Sequence, residues 1–294
     1  MTSLFILGIG YSASEISRRA QNLGWAVAGT MRDAGKAKQL SATDVDVTVV
    51  SENDFPPDVS NKLANADHLL ISVPPGEAGD PMIGAVTQIF ATRKTHPARI
   101  TYLSSLSVYG DFDGALIDED AGTEPASKRG QVRVAAETAW QDLGARHNIP
   151  IDILRLAGIY GPDRNILLRL KAGKVKRISG TGHIFNRIHV ADLSDIAIAL
   201  MQRQDANGGV FNICDNFPTA QEDVIVFAAG LLGIEPPPAT SLEKSGLSQL
   251  GRSFYEENKR VSNARMLAAT GHTLIFPTYR EGLTSLAKAI NGRD

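Results

Sequence analysis

Leu4-Phe5-Ile6-Leu7-Gly8-Ile9-Gly10-Tyr11-Ser12-Ala13 stands near the start of the chain. Leu4 to Leu7 is a short apolar run that stops at Gly8, and Ser14 to Leu23 follows with Ile16, Ala20 and Leu23 on one helical face. Gly24 ends that helix, and Trp25 to Thr30 reads as a second strand. Strand, glycine turn, helix and strand in this order make a βαβ unit. In that setting Gly8 allows the tight turn and Gly10 lets the backbone approach a pyrophosphate. Ala13, in place of a third glycine, keeps helix and strand close. A helix whose first turn is Tyr11, Ser12 and Ala13 offers free N–H groups and its positive dipole end to phosphate. The plainer alternative is an ordinary tight strand–helix turn.

The alternation continues. Val45–Val50, Asp67–Val73, Ile100–Leu103 and Ile151–Leu156 read as strands, and Pro81–Arg93 and Lys128–His147 as helices. Strands alternating with helices predict an α/β fold, a Rossmann-type doubly wound parallel sheet. After Gly161-Pro162 the rhythm changes. Leu193–Arg203 reads as a helix capped by Asp192, Val210–Cys214 as a returning strand, and Thr240-x-x-Glu243 as a capping box. Two more helices are expected near Ser262–Ala269 and Tyr279–Ile290. The expected division is a dinucleotide-binding domain, 1–162 plus the returning segment 188–216, with 163–187 and 217–294 forming a smaller, mostly helical substrate lobe.

Composition narrows the classes. The 294 residues hold 30 Lys+Arg against 32 Asp+Glu, a net charge of −2, so no concentrated basic surface for nucleic acid is expected. The single cysteine, Cys214, makes neither an intramolecular disulfide nor a cysteine-rich zinc site, and no metal is expected. The longest uncharged apolar run, Val224–Ile234, is too short to span a membrane. No Lys or Arg precedes Arg18, so the start lacks the basic region of a signal peptide. A cytoplasmic enzyme or ligand-binding protein remains.

The end of the second strand bears on the cofactor. A site for NAD carries Asp or Glu about 20 residues past the glycines to hold the ribose 2′-OH. Here the segment is Gly29-Thr30-Met31-Arg32. A guanidinium forks onto a 2′-phosphate, so NADP(H) is expected over NAD(H), unless Arg32 is simply a solvated loop charge. Thr30 and the strand ends Val73-Pro74 and Ser104 join Gly8, Gly10, Tyr11, Ser12, Ala13 and Arg32 as cofactor-binding candidates.

Ser104-Ser105-Leu106-Ser107-Val108-Tyr109-Gly110 resembles the SSxxVYG segment of the extended short-chain dehydrogenase/reductases, the group of sugar-nucleotide epimerases and dehydratases. Arg155-Leu156-Ala157-Gly158-Ile159-Tyr160-Gly161-Pro162 is similar to the family's RxxxxYGP segment, Arg187–Asp192 to its HVxD segment, and Phe211-Asn212-Ile213 to its YN(I/V) strand. The likeness runs over nearly the whole chain. It implies a nicotinamide cofactor, a small-molecule substrate, and a homodimer built on Pro81–Arg93 and Lys128–His147.

One segment departs from the pattern. The family's catalytic helix reads P-x-S-x-Y-G-x-x-K-x-x-x-E, whereas here Pro125, Ser127, Arg129, Gly130, Arg133 and Glu137 take those places. Arginine stays protonated and does not shuttle protons as tyrosine does. The chain therefore resembles the atypical branch that keeps the cofactor motif and lacks the Tyr-x-x-x-Lys dyad. Ser105 remains as the serine partner. Arg129 and Arg133, at i and i+4, suit an anionic ligand; alternatively Arg133 pairs with Glu137 as a surface ion pair. Tyr109 and Tyr160 are substitute acids unless their rings simply pack. The catalytic candidates are Ser105, Arg129, Arg133 and Tyr109. Two functions follow: an NADP(H)-dependent oxidoreductase or epimerase-like enzyme of altered mechanism, or a non-catalytic NADP(H) sensor.

Overall fold

The computed structural model describes residues 1–50 and 55–292. The last two residues of the segment read as the second lobe, 293 and 294, lie outside them. Seven strands form one sheet in the order β11-β7-β5-β4-β1-β2-β3, where β1 is Ser3–Leu7, β2 Ala26–Met31, β3 Asp46–Val49, β4 His68–Ile71, β5 Arg99–Ser105, β7 Ile151–Leu156 and β11 Gly209–Ile213. Every pairing is parallel. Three short two-stranded pairs lie outside it: β6 (Leu116–Ile117) with β13 (Arg260–Val261), β8 (Gly158–Tyr160) with β10 (Arg187–His189), and β9 (Arg177–Ile178) with β12 (Ala239–Thr240).

The two-residue period of a strand divides the side chains between two cores. Leu4 and Ile6 of β1 join one face, where α1 (Tyr11–Asn22) and α7 (Val190–Met201) pack. Phe5 and Leu7 join the other, under α3 (Pro57–Asn65), α4 (Ile83–Thr92) and α5 (Lys128–His147). A helix layer on each side is the doubly wound arrangement, with α2 (Ala34–Ser41) completing the connection from β2 to β3. A third core gathers Tyr160, Leu167, Val224 and Leu283 among α6 (Ile166–Lys171), α8 (Gln221–Leu232) and α11 (Tyr279–Asn291). α9 (Gln249–Ser253) buries no side chain, and α10 (Ala264–Thr270) packs on α7. No helix among the described residues is long and apolar enough to cross a membrane. Cys214 is free and buried.

Two capping assignments change. The cap of α7 is His189, whose Nδ1 accepts the Ala191 amide at 3.2 Å. Asp192 lies inside the first turn, fully buried, and stitches a distant loop. It accepts His272 Nε2 at 3.0 Å and the amides of Ile275 at 2.7 Å and Phe276 at 3.0 Å. Thr240 and Glu243 form no capping box, because only a short 3-10 turn without a side-chain cap follows. The capping box sits at Thr278 and Glu281, opening α11.

Replacing Asp192 by alanine strands two amides and an imidazole. Asp192→Ala is expected to lower stability by about 2–4 kcal/mol in urea unfolding. A change within ~0.5 kcal/mol would contradict this stitching role.

Candidate functional site

In a parallel sheet the carboxyl ends of all strands share one edge. Gly8 after β1, Val73 after β4 and Ser105 at the end of β5 therefore gather there. β1 is flanked by β2 and β4, so chain order reverses at this strand, the place where open α/β sheets form their binding crevice. Gly8 turns the chain at φ +84°, and a β-carbon on it would lie 2.4 Å from Val73 Cγ2. Its amide donates to Thr30 Oγ1 at 3.2 Å, and the Ile9 amide to the Thr30 carbonyl at 2.8 Å.

Gly10 caps α1 without a side-chain acceptor, which leaves the first-turn amides for another acceptor. A β-carbon at Gly10 would meet nothing within 4 Å, so the backbone faces open space. Ser12 and Ala13 are buried against the sheet. The Tyr11 hydroxyl donates to the Pro162 carbonyl at 2.8 Å, with the Arg164 guanidinium 5.6 Å from its ring. Burial pushes that phenol up to about 12, so it stays a donor. Arg32 is exposed just past β2. Its neighbour Asp33 turns its carboxylate to cap α2, accepting the Lys36 amide at 3.0 Å. The turn thus has the shape and free donors that the pyrophosphate of a nicotinamide dinucleotide requires.

The other candidates part company. Ser105, partly exposed, accepts the Ser107 amide at 3.2 Å and opens a short 3-10 turn. Ser104 is buried and donates to Glu137 Oε1. Arg133 is buried too, and its Nη1 donates to the Leu103 carbonyl at 3.0 Å, while Nε has no partner. The surface pairing of Arg133 with Glu137 is not what forms. Glu137 is buried and takes a bidentate bond from Arg155, with Nη2 to Oε2 at 2.8 Å. Arg129 lies outside, exposed, 5.8 Å from the Phe254 ring. The two arginines therefore do not present one double cation. Tyr109 is 1% exposed, and its hydroxyl donates to Asn212 Oδ1 at 2.7 Å beneath the Arg155 guanidinium. Burial raises its pKa, so this phenol is held in the interior as a neutral donor. Tyr160 is likewise buried, and burial raises it.

A cleft of about 610 Å3 opens beside the RxxxxYGP segment, between residues 158–174 and helices α8 and α11. Arg187 lines it, fixed by the carbonyls of Phe185 and Thr219 and by Gln221 Oε1 at 2.8 Å. Burial lowers this guanidinium to about 10. Asp215, 2% exposed, accepts the Phe217 amide with one oxygen, and the other has no partner. Sequence reading missed the Arg155–Glu137–Ser104 network, Asp215 and Phe254. Arg155 and Glu137 both stood inside quoted motifs, but their pairing spans two elements and has no local signature.

Fold and crevice define a Rossmann-type α/β protein. The chain belongs to the NAD dependent epimerase/dehydratase family, whose profile matches residues 4–214. Protein YeeZ of Escherichia coli (strain K12) is 30% identical over 264 residues, 85% of this chain and 91% of that protein. A functionally unknown conserved protein from Silicibacter pomeroyi DSS is 37% identical with a TM-score of 0.88, covering 99% of both chains. The fold is shared with UDP-glucuronic acid 4-epimerase from Bacillus cereus, in complex with UDP-glucuronic acid and NAD, at TM-score 0.80 and 17% identity over 100% of both chains. It is shared as well with MoeE5 in complex with UDP-glucose and NAD, at TM-score 0.78 and 20% identity over 99% of both.

Asp215 generates a pH test. Burial raises its carboxyl from 3.8 to about 7, so the folded chain holds a proton that the unfolded chain releases above about 4. Stability is then expected to fall as pH rises between these values, by roughly 2–4 kcal/mol. Asp215→Asn, which keeps the neutral form, should flatten that slope in urea titrations. An equal slope in both proteins would contradict the assignment.

Proposed function

We propose that the chain is an NADP(H)-binding oxidoreductase or epimerase-like protein with an altered proton-transfer site. The observation that carries this is the uncapped start of α1 behind Gly10, open to a phosphate, with Arg32 at the end of β2. Asp33, the one carboxylate beside Arg32 in sequence, is turned to α2, which favours a 2′-phosphate over a bare ribose. A nicotinamide cofactor held there supplies hydride exchange at its C4 carbon. The chain's own part is to hold the pyrophosphate on the amides of Ser12 and Ala13, to fork Arg32 onto the 2′-phosphate, and to present the Ser105 hydroxyl to a substrate oxygen. Val73, Pro74 and Thr30 shape the crevice around it, and Ser104 supports the end of β5 from beneath through Glu137. Arg133 stands at the family's lysine place and Arg129 at its tyrosine place, and neither passes a proton. The family likeness also favours a homodimer through α4 and α5.

A sensor without turnover is the second reading. It is favoured by the engagement of the two candidates nearest the serine motif: the Tyr109 hydroxyl is committed to Asn212, and Arg129 rests on Phe254.

NADPH is expected to bind at least about tenfold more tightly than NADH, and Arg32→Ala to remove the difference. Gly10→Ala should weaken both cofactors while leaving the unfolding midpoint unchanged, because its methyl enters open space. Fluorescence titration reads these values, and equal affinities in the wild type sink the NADP assignment. Turnover with a carbonyl or nucleotide-sugar panel, lost in Ser105→Ala, identifies an enzyme. Tight NADPH binding without turnover identifies the sensor.

A further inference from the structure

The cleft beside residues 158–174 shows an uneven use of its polar groups. Asn165 gives its amide to the Gly161 carbonyl at 2.9 Å and its oxygen to the Leu168 amide at 3.0 Å. Asn186 gives its amide to the Lys259 carbonyl at 2.9 Å and its oxygen to the Val261 amide at 3.0 Å. Arg187 is held by two carbonyls and by Gln221 Oε1, which engages Gln221 as well. Four polar side chains of the lining thus serve the fold.

Tyr160, whose hydroxyl donates to the Thr278 carbonyl at 3.5 Å, and Tyr279 also line the cleft, and what remains beside them is of two kinds. The wall is apolar: Ile159, Phe185, Val224 and Leu283 line it, with Leu168 beside them. The rim is cationic. Arg164, Arg169 and Lys174 are exposed, and among the described residues none of them makes an ion pair; Asp163 is the single carboxylate in the lining. Arg164 leans over the Tyr11 ring toward the cofactor turn, while Arg169 Nη2 donates to the Lys174 carbonyl at 3.3 Å, which ties that guanidinium to the stretch carrying the Lys174 ammonium. A nucleobase and ribose need unengaged donors and acceptors along their length, since a polar group buried without a partner is costly. An apolar body needs only the wall, and an anionic end needs the rim.

We infer that this cleft takes an apolar acid: an aromatic or alkyl body on Ile159, Phe185, Val224 and Leu283, with its carboxylate, sulfonate or phosphate at Arg169 and Lys174. The inference rests on the cofactor-binding reading above and names the class of ligand that lies beside the cofactor. It sets this cleft apart from one that reads a nucleotide sugar.

The test uses the full chain loaded with NADPH. Isothermal titration compares 2-naphthoate, its uncharged counterpart 2-naphthalenemethanol, and UDP-glucose. Naphthoate is expected to bind at least about tenfold more tightly than either. The double variant Arg169→Ala/Lys174→Ala changes two exposed side chains and should bring naphthoate down to the level of the alcohol. UDP-glucose binding more tightly than naphthoate, naphthoate failing to bind, or naphthoate binding unchanged in the double variant would each overturn the inference. NADPH fluorescence on the same samples separates the two claims. If NADPH binds and naphthoate does not, only the ligand class falls; if NADPH does not bind, both fall.

Discussion

The architecture of the site hangs on the contact between Gly8 and Val73. At φ +84° a side chain is strained, and here even a methyl group would collide with Val73 at 2.4 Å. The closeness follows from the parallel pairing of β1 with β4, which brings the residues after both strands together. Because Gly8 turns so sharply, Gly10 reaches the start of α1 in extended conformation and the helix begins with its amides bare. Thr30 fixes the same turn from β2 through its hydroxyl and carbonyl. One small residue thus couples three strands and a helix into one crevice at the carboxyl edge of the sheet.

A second constraint lies deeper, where β5, β7 and α5 meet. Arg155 and Glu137 form a buried bidentate pair, with Ser104 closing the third side of the carboxylate. A buried ion pair is retained only when geometry and extra hydrogen bonds offset desolvation, and Ser104 contributes one of those bonds. The pair holds α5 in place against the strand ends, so Arg133, one turn earlier, faces the Leu103 carbonyl rather than Glu137. At Arg133 the buried charge is a fork of fixed protons rather than a titratable amine.

Much of this was legible in sequence. The first βαβ unit, α5 over Lys128–His147 and β7 over Ile151–Leu156 follow from apolar period and from caps that act locally: Ser127 takes the Gly130 amide and Asn148 closes the helix in left-handed conformation. α2, α3, α6 and α8 lie outside the helices that the sequence pattern predicts. α6 is a single short stretch, and α8 buries Val224, Ile225, Ala228 and Ala229 yet carries apolar Val226 on its exposed face, so its sequence has no clear polar face. Asp192 misled because aspartate favours caps, yet its carboxylate is worth more to the loop at 275–276, which no local pattern announces. Tyr109 stood beside the serine motif and points into the core, since the partner that claims its hydroxyl, Asn212, lies 103 residues away.

The central claim is that the bare first turn of α1 is a phosphate site. Hydrogen exchange at the backbone amides of Tyr11, Ser12 and Ala13, with and without saturating NADPH, tests it most directly. The account predicts slowed exchange at Ser12 and Ala13 on addition of NADPH. NADPH binding with unchanged exchange at these amides, and protection elsewhere, would contradict it.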